Sequence, residues 1–340
     1  MMFSKLSKKS EIRNILVISL SNIGDIIMIC PAMDVLLNDF PQAKLSMVVG
    51  PKGRTVFEGN PNIDRVYIYD KHDILRKKID WFLALRRRRF DLVVDFRNSV
   101  MPFLLNTRYR TPPELLMSQN IHLTRKHLLR LRSVYDFEEK AVSRKAIVVS
   151  PKDRDHIDGL LAGHIFPGDR FVLVAPLAAD SAKTWHPQGF ALVCDELIRR
   201  YSLKVVMVGG AEDKNVIENI QSQMKHPIVN LAGKTNLVQV VEILNRSFFG
   251  IVHDSGIMHL ASYFGRQVLA LYGPTDPYKS GPWSTNSGYI WKNQGCLKCA
   301  TTKRKEPHTC MQAITPEDIL NAIEITDQGV IFKCGCATYE

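Results

Sequence analysis

The chain has 340 residues, 45% hydrophobic and 23% charged, too apolar for a disordered chain and long enough for two domains of roughly 150 residues. No apolar run reaches the roughly 20 residues that span a bilayer, and no apolar stretch with a small-residue cleavage site follows the basic N-terminus; a cytoplasmic protein without span or signal peptide is expected. The net charge of +11 lies in the first half, since residues 1–150 hold 26 Lys and Arg against 15 Asp and Glu while residues 151–340 hold 19 of each, and this asymmetry implies an anionic partner for the first half.

In chain order, Ile15–Leu20 reads as a strand, a Ser-Asn-Ile-Gly-Asp turn follows, and a helix is predicted from about Ile26 to Asn38. Strands at Leu45–Val49 and Val66–Tyr69, a helix from about Ile74 to Arg88 and a strand at Leu92–Phe96 complete the first half. The second half repeats the plan. Strands are predicted at Phe171–Ala175, Lys204–Val208, Ile228–Asn230, Gly250–Val252 and Val268–Leu271. Helices are predicted at Gly189–Arg200, Asn215–Met224, Leu237–Ser247 and about Met258–Phe264, with a last one at Pro316–Ile325 capped by Thr315. Short apolar strands alternating with helices indicate parallel sheets covered on both faces. Two Rossmann-like halves are therefore expected, over 1–167 and 168–327 with a boundary near Phe166–Asp169, and a tail over 328–340. A ligand belongs in the cleft facing the carboxyl ends of the two sheets.

Four segments could carry chemistry. Asp25, at the start of the first helix, is either a cap residue or a general base facing the cleft. After the strand Gly250–Val252 comes His253-Asp254-Ser255-Gly256-Ile257-Met258-His259, a glycine-containing turn into a helix whose free N–H groups and dipole suit a phosphate. Lys183, in Asp180-Ser181-Ala182-Lys183-Thr184-Trp185-His186-Pro187, is either a solvated lysine or the cation for a diphosphate. Glu212, after Gly209-Gly210, is either a surface acid or a ribose ligand.

Taken in order, these segments resemble glycosyltransferase family 9, the heptosyltransferases of lipopolysaccharide assembly. Ala232-Gly233-Lys234-Thr235-Asn236-Leu237 and Leu271-Tyr272-Gly273-Pro274-Thr275-Asp276-Pro277 add to the match, which runs from about Ile15 to Ile325. The resemblance implies a GT-B fold, with 1–167 as the acceptor-binding domain and 168–327 as the nucleotide-sugar domain, whose last helix packs back on the first domain. It also implies an inverting, metal-independent transfer, usually of heptose from ADP-heptose, with no cofactor. It makes Asp25 the catalytic base and Lys183 the phosphate-binding lysine. Ser255, Gly256, Ile257, Met258 and His259 become the diphosphate loop, Asp254 a contact of the donor sugar and Glu212 of the ribose. Asn22, Gly24 and Arg97 fall on the acceptor side, where an anionic lipopolysaccharide core is expected and nucleic acid is not. The chain departs from the family pattern at Leu177-Ala178-Ala179-Asp180 and at His186, both on the donor side, which leaves a different nucleotide sugar as an alternative donor.

Two basic clusters, Arg86–Arg89 and Arg125, Lys126, Arg130 and Arg132, are either solvated helix ends or a surface for an anionic glycolipid at the inner face of the cytoplasmic membrane. Cys296-x2-Cys299 with Cys310 is half of a zinc-site pattern; with Cys334 and Cys336 beyond it, structural or reduced thiols are the preferred reading and a bound metal the alternative. A nicotinamide-dependent dehydrogenase is disfavoured, because Ser21-Asn22-Ile23-Gly24-Asp25 offers a single glycine where Gly-x-Gly-x-x-Gly is needed. A non-catalytic glycolipid-binding protein would leave Asp25 and Lys183 without a role.

Overall fold

The computed structural model describes residues 5–6, 8–113, 121–292 and 309–335. The chain divides into two compact units, Met1–Val148 and Val149–Glu340. The division falls earlier than the expected boundary near Phe166–Asp169. The reason is a helix absent from the predicted elements, Pro151–Leu161, which starts on a Ser150/Asp153 capping box and packs against the helix Leu237–Arg246 of the second unit.

The first unit carries a five-stranded parallel sheet in the order β3-β2-β1-β4-β5. Its strands are β1 (Asn14–Ile18), β2 (Lys44–Val49), β3 (Arg65–Ile68), β4 (Phe90–Asp95) and β5 (Thr107–Arg110). The predicted first helix is two, α1 (Ile23–Met28) and α2 (Cys30–Asp39). Pro31 lies in the first turn of α2, where its missing N–H costs nothing but forbids continuation from α1. The helix α3 (Leu75–Arg86) packs on the sheet through Leu85, and α4 (Leu123–Arg132) packs against α1 and α2. Leu16, Ile18, Val48, Leu85, Phe90, Val93 and Leu105 form one buried cluster there.

The second unit holds a six-stranded parallel sheet in the order β11-β10-β9-β6-β7-β8. Its strands are β6 (Phe171–Ala175), β7 (Lys204–Met207), β8 (Val229–Asn230), β9 (Phe249–His253), β10 (Val268–Tyr272) and β11 (Gly288–Trp291). Its longer helices are α5 (Pro151–Leu161), α6 (Pro187–Tyr201), α7 (Lys214–Ser222), α8 (Leu237–Arg246), α9 (Gly256–Phe264) and α10 (Pro316–Ala322). On α6 the buried residues Phe190, Ala191, Val193, Cys194 and Leu197 recur at helical spacing and place one apolar face on the sheet.

The predicted last helix stops at Ala322. Ile323–Thr326 pairs antiparallel with Gly329–Phe332 as a hairpin, β12 and β13, because the β-branched run ends in a turn where Gly329 takes φ +146°. Where packing on the first unit was expected, α10 instead lies against α6, and Ile314, Ile319 and Ala322 belong to the core of the second unit. Cys30 and Cys194 are fully buried, and burial raises both thiols, which makes them inert core residues.

Candidate active site

Each sheet has one point at which the strand order reverses. In the second unit the chain runs from β6 outward through β7 and β8, then returns to the other side of β6 for β9, β10 and β11. The switch point lies between β6 and β9, and ligands of such sheets bind just beyond the strand ends there. Lys183 follows β6, Asp254 follows β9, and Thr275 follows β10. The structure brings all three together. Lys183 Nζ is 2.6 Å from Asp254 Oδ2, and the Thr275 hydroxyl donates to the same oxygen at 2.8 Å. His259 Nε2 is 3.8 Å from the other oxygen of Asp254. Asp254 is only 7% exposed, so its charge requires these partners.

Local sequence explains the placement. Asp180 accepts from Ala182 N and opens the single turn Ser181–Lys183. Trp185 then plugs into the core, donating its indole N–H to the Ile314 carbonyl at 2.9 Å. Its backbone N–H donates to His253 Nε2 at 2.9 Å, which assigns the ring proton of neutral His253 to Nδ1. Burial drives His253 down to about 4, with the Ala175 and Leu177 carbonyls opposing the shift. His186, a departure from the family pattern, caps α6 by accepting from Gly189 N, which gives it a structural role.

Ser255 is the N-cap residue of α9, and its hydroxyl is buried without a hydrogen-bond partner. The first-turn N–H groups of Gly256, Ile257 and Met258 end the helix at the switch point. Met258 contributes backbone only, since its side chain is fully buried and its sulfur accepts from the Tyr272 hydroxyl. Glu212 lies in the exposed turn Ala211–Asp213 after β7, one strand from the switch; Asp213, not Glu212, accepts from Gly210 N in that turn.

The first unit has the same design. The order reverses between β1 and β4. Asp25 lies in the first turn of α1 after β1, half-buried, with Asn22 Nδ2 donating to its Oδ2 at 3.0 Å. Gly24 occupies the same turn. Arg97 follows β4, exposed, with its guanidinium over the Tyr69 ring at 5.6 Å. The loop carrying Arg97 is held by buried groups that no sequence motif marks. The Asp95 carboxylate, fully buried, accepts from Arg97 N, Ser99 N and Ser99 Oγ. Arg130 donates through Nε to the Asp95 carbonyl and through Nη2 to Asn98 Oδ1, and Asn98 sits at φ +55°.

Arg130, 5% exposed, is therefore not part of a basic surface, contrary to expectation. Arg125 and Arg132 pair with Glu139, and Arg88 pairs with Asp64. Only Arg86, Arg87 and Arg89 of the first cluster are well exposed. Among the described residues no group of three His, Cys, Asp or Glu could hold a metal. Cys310 is buried and Cys334 half-buried; Cys296, Cys299 and Cys336 lie outside the described residues.

The family model of glycosyltransferase family 9 (heptosyltransferase) matches residues 103–309, more than half of the chain. The chain belongs to glycosyltransferase family 9. Lipopolysaccharide heptosyltransferase 3 of Escherichia coli is 23% identical over 326 residues, covering 88% of this chain and 95% of that protein. The crystal structure of a family 9 glycosyltransferase from Veillonella parvula has a TM-score of 0.76 at 22% identity, over 91% of this chain and 95% of that one. The E. coli ADP-heptose lps heptosyltransferase II has a TM-score of 0.71 at 20% identity, over 91% and 96% of the two chains. These likenesses establish the GT-B fold of two Rossmann-like units. In this family 9 glycosyltransferase, Asp25 and Arg97 flank the switch point of the first sheet and Lys183 and Asp254 that of the second, while Glu212 lies one strand away.

Proposed function

We propose that the enzyme transfers heptose from ADP-heptose to an anionic lipopolysaccharide-core acceptor with inversion at the anomeric carbon. The observation that carries the reading is the Lys183–Asp254–Thr275 cluster beneath the N-terminus of α9, with the Ser255 hydroxyl buried and unpartnered beside it. A lysine, a hydroxyl and a row of helix N–H groups suit a diphosphate, while the Asp254 carboxylate suits sugar hydroxyls. The names of the relatives, heptosyltransferases of lipopolysaccharide and one of them ADP-heptose-dependent, point to the same donor and acceptor.

In this reading Asp25 takes the proton from the acceptor hydroxyl as its oxygen bonds to the anomeric carbon. The carbon–oxygen bond to the diphosphate breaks, and its electron pair leaves with ADP. Lys183 and the α9 N-terminus meet the charge that develops on the leaving group, the part otherwise played by a metal ion. Arg97, with Asn22 beside Asp25, holds the acceptor, whose anionic groups account for the basic first unit. The acceptor is a glycolipid made at the cytoplasmic face of a membrane, which places the enzyme there as a peripheral protein.

The test is transfer from ADP-heptose to a heptose-deficient core. Asp25→Asn is expected to lose about 10²–10⁴-fold in rate while ADP still stabilises it against heat. Lys183→Ala is expected to lose that stabilisation. If Asp25→Asn keeps its rate, the base is elsewhere. Stabilisation only by another nucleotide sugar replaces the donor and keeps the reaction, the outcome to which the Leu177–Asp180 departure would belong.

A further inference from the structure

Among the described residues, eleven large hydrophobic side chains are exposed, and seven of them fall between residues 74 and 104: Ile74, Leu75, Ile79, Leu83, Val100, Phe103 and Leu104. Isolated exposed aliphatics are ordinary, whereas a concentration of this kind marks a surface that meets something apolar. Leu75, Ile79 and Leu83 recur every fourth residue and form one stripe along α3. They are 73%, 49% and 44% exposed. Val100, Phe103 and Leu104 lie on and beside the one-turn helix Met101–Leu104. The two sets meet, because Phe82 of α3 lines a cavity of about 250 Å³ together with Val100, Met101 and Leu104. Tyr69 and Arg97 line it too.

The surroundings are cationic. Residues 71–110 carry eleven Lys and Arg against four Asp and Glu. Arg76, Arg86, Arg87 and Arg89 are exposed on or just after α3. An aliphatic stripe flanked by long cationic side chains is the pattern of a helix lying in a lipid interface: the apolar side chains enter the acyl boundary while the charged heads stay with anionic headgroups. A polyanion such as nucleic acid would use the charge and leave the aliphatics in water.

We infer that α3 and the Met101–Leu104 turn form a docking surface for a bilayer containing anionic lipid. Docking there puts the Arg97 cavity at headgroup depth. The docking itself stands on this surface alone; its use, presenting a lipid-linked acceptor to Arg97, rests on the proposed function.

The experiment is co-sedimentation of the full chain with phosphatidylcholine vesicles, with and without phosphatidylglycerol. The wild type is expected to sediment with the phosphatidylglycerol vesicles and to be released by salt. Leu75→Ser/Ile79→Ser/Leu83→Ser is expected to bind them at least about tenfold more weakly, since three interfacial aliphatics are removed, while melting like the wild type. Leu192→Ser, equally exposed but in the second unit, is expected to bind as the wild type does. A triple variant that sediments like the wild type, or a wild type that ignores anionic vesicles, overturns the inference. So does a wild type that dimerises through these residues without binding vesicles, which would put a second copy in place of the bilayer. Transfer to a deacylated, soluble acceptor is expected to be unchanged in the triple variant. Its absence from wild type and variant alike would sink the proposed reaction and leave the docking result intact.

Discussion

Replacing Lys183 by alanine should destabilise the second unit, and replacing Asp254 as well should restore most of the loss. The Asp254 side chain is 6% exposed and Lys183 24%, with 2.6 Å between nitrogen and oxygen. Removing one partner of a fully buried pair costs about 3–5 kcal/mol. Here the lysine is partly solvated and Thr275 remains as a donor, so about 2 kcal/mol is a fairer expectation. For a unit of this size that lowers the melting temperature by roughly 4–8 °C. Asp254→Asn in the Lys183→Ala background removes the uncompensated charge, and a coupling of about 1–2 kcal/mol should appear in the double-mutant cycle. The assay is thermal melting of wild type, both single variants and the double variant, repeated with ADP. Wild type at about 100 times the dissociation constant should gain about 2.7 kcal/mol from ADP, and Lys183→Ala should gain little. Additive single effects, or a Lys183→Ala protein that melts with the wild type, would refute the argument that this pair neutralises a buried carboxylate.

Further outcomes follow from the buried histidines, the packing glycine and the arginine pin. His127 and His253 are both pushed down to about 4 by burial; each is neutral when folded and would take up a proton on unfolding below its ordinary value of 6.5. Stability should therefore be full above pH 6.5 and fall toward pH 4, by up to about 1.4 kcal/mol per pH unit per histidine; a denaturant midpoint that is flat over this range contradicts the assignment. Gly189→Ala places a methyl group against the buried Trp185 ring and within 2.7 Å of His186 Cε1, so it should cost about 1–3 kcal/mol and weaken ADP stabilisation through Lys183. An unshifted melt would show that the indole can move. Arg130→Leu removes the donor to the Asp95 carbonyl and Asn98, at about 1–3 kcal/mol. It should also raise KM for the acceptor while leaving that for the donor, and equal changes in both would assign Arg130 to stability alone.

Central strands were legible because β1, β2, β4, β6, β9 and β10 are buried along nearly their whole length and are mostly apolar, with few interruptions such as Ser46 and Asp91. Of the four edge strands, β3 and β8 were read from the sequence as well, whereas β5 and β11 were not. In β5, Thr107-Arg-Tyr-Arg alternates buried and exposed, and β11 begins with glycine. The helix α5 did announce itself, through Ser150-Pro151 and Asp153, but its buried apolar residues, Ile157 and Leu161, are too few to mark it by periodicity. Of the candidate residues, Lys183, Asp254 and Asp25 could be named singly from their places in turns after strands. Their partners could not. Lys183 meets Asp254 across 71 residues, Trp185 meets His253 across 68, and Arg130 reaches Asp95 across 35. Such pairings depend on which strand ends become neighbours, and local patterning carries no record of that.

The Arg97 loop of the first unit and the Lys183 loop of the second are held in place by groups of different chemical temper. Beside Arg97 the fastening is the Arg130 guanidinium, which stays charged throughout the range in which proteins remain folded. Beside Lys183 it is the His253 ring, which holds the Trp185 amide only while its Nε2 lone pair is free of a proton. Acidification thus reaches the two loops through different groups. Toward pH 4 the lysine loop loses its anchor as the His253 imidazole becomes a cation, while in the first unit the charge falls on His127, whose ring lies against Phe96. Acid therefore loosens both units and leaves only the Arg130 contacts unchanged in charge.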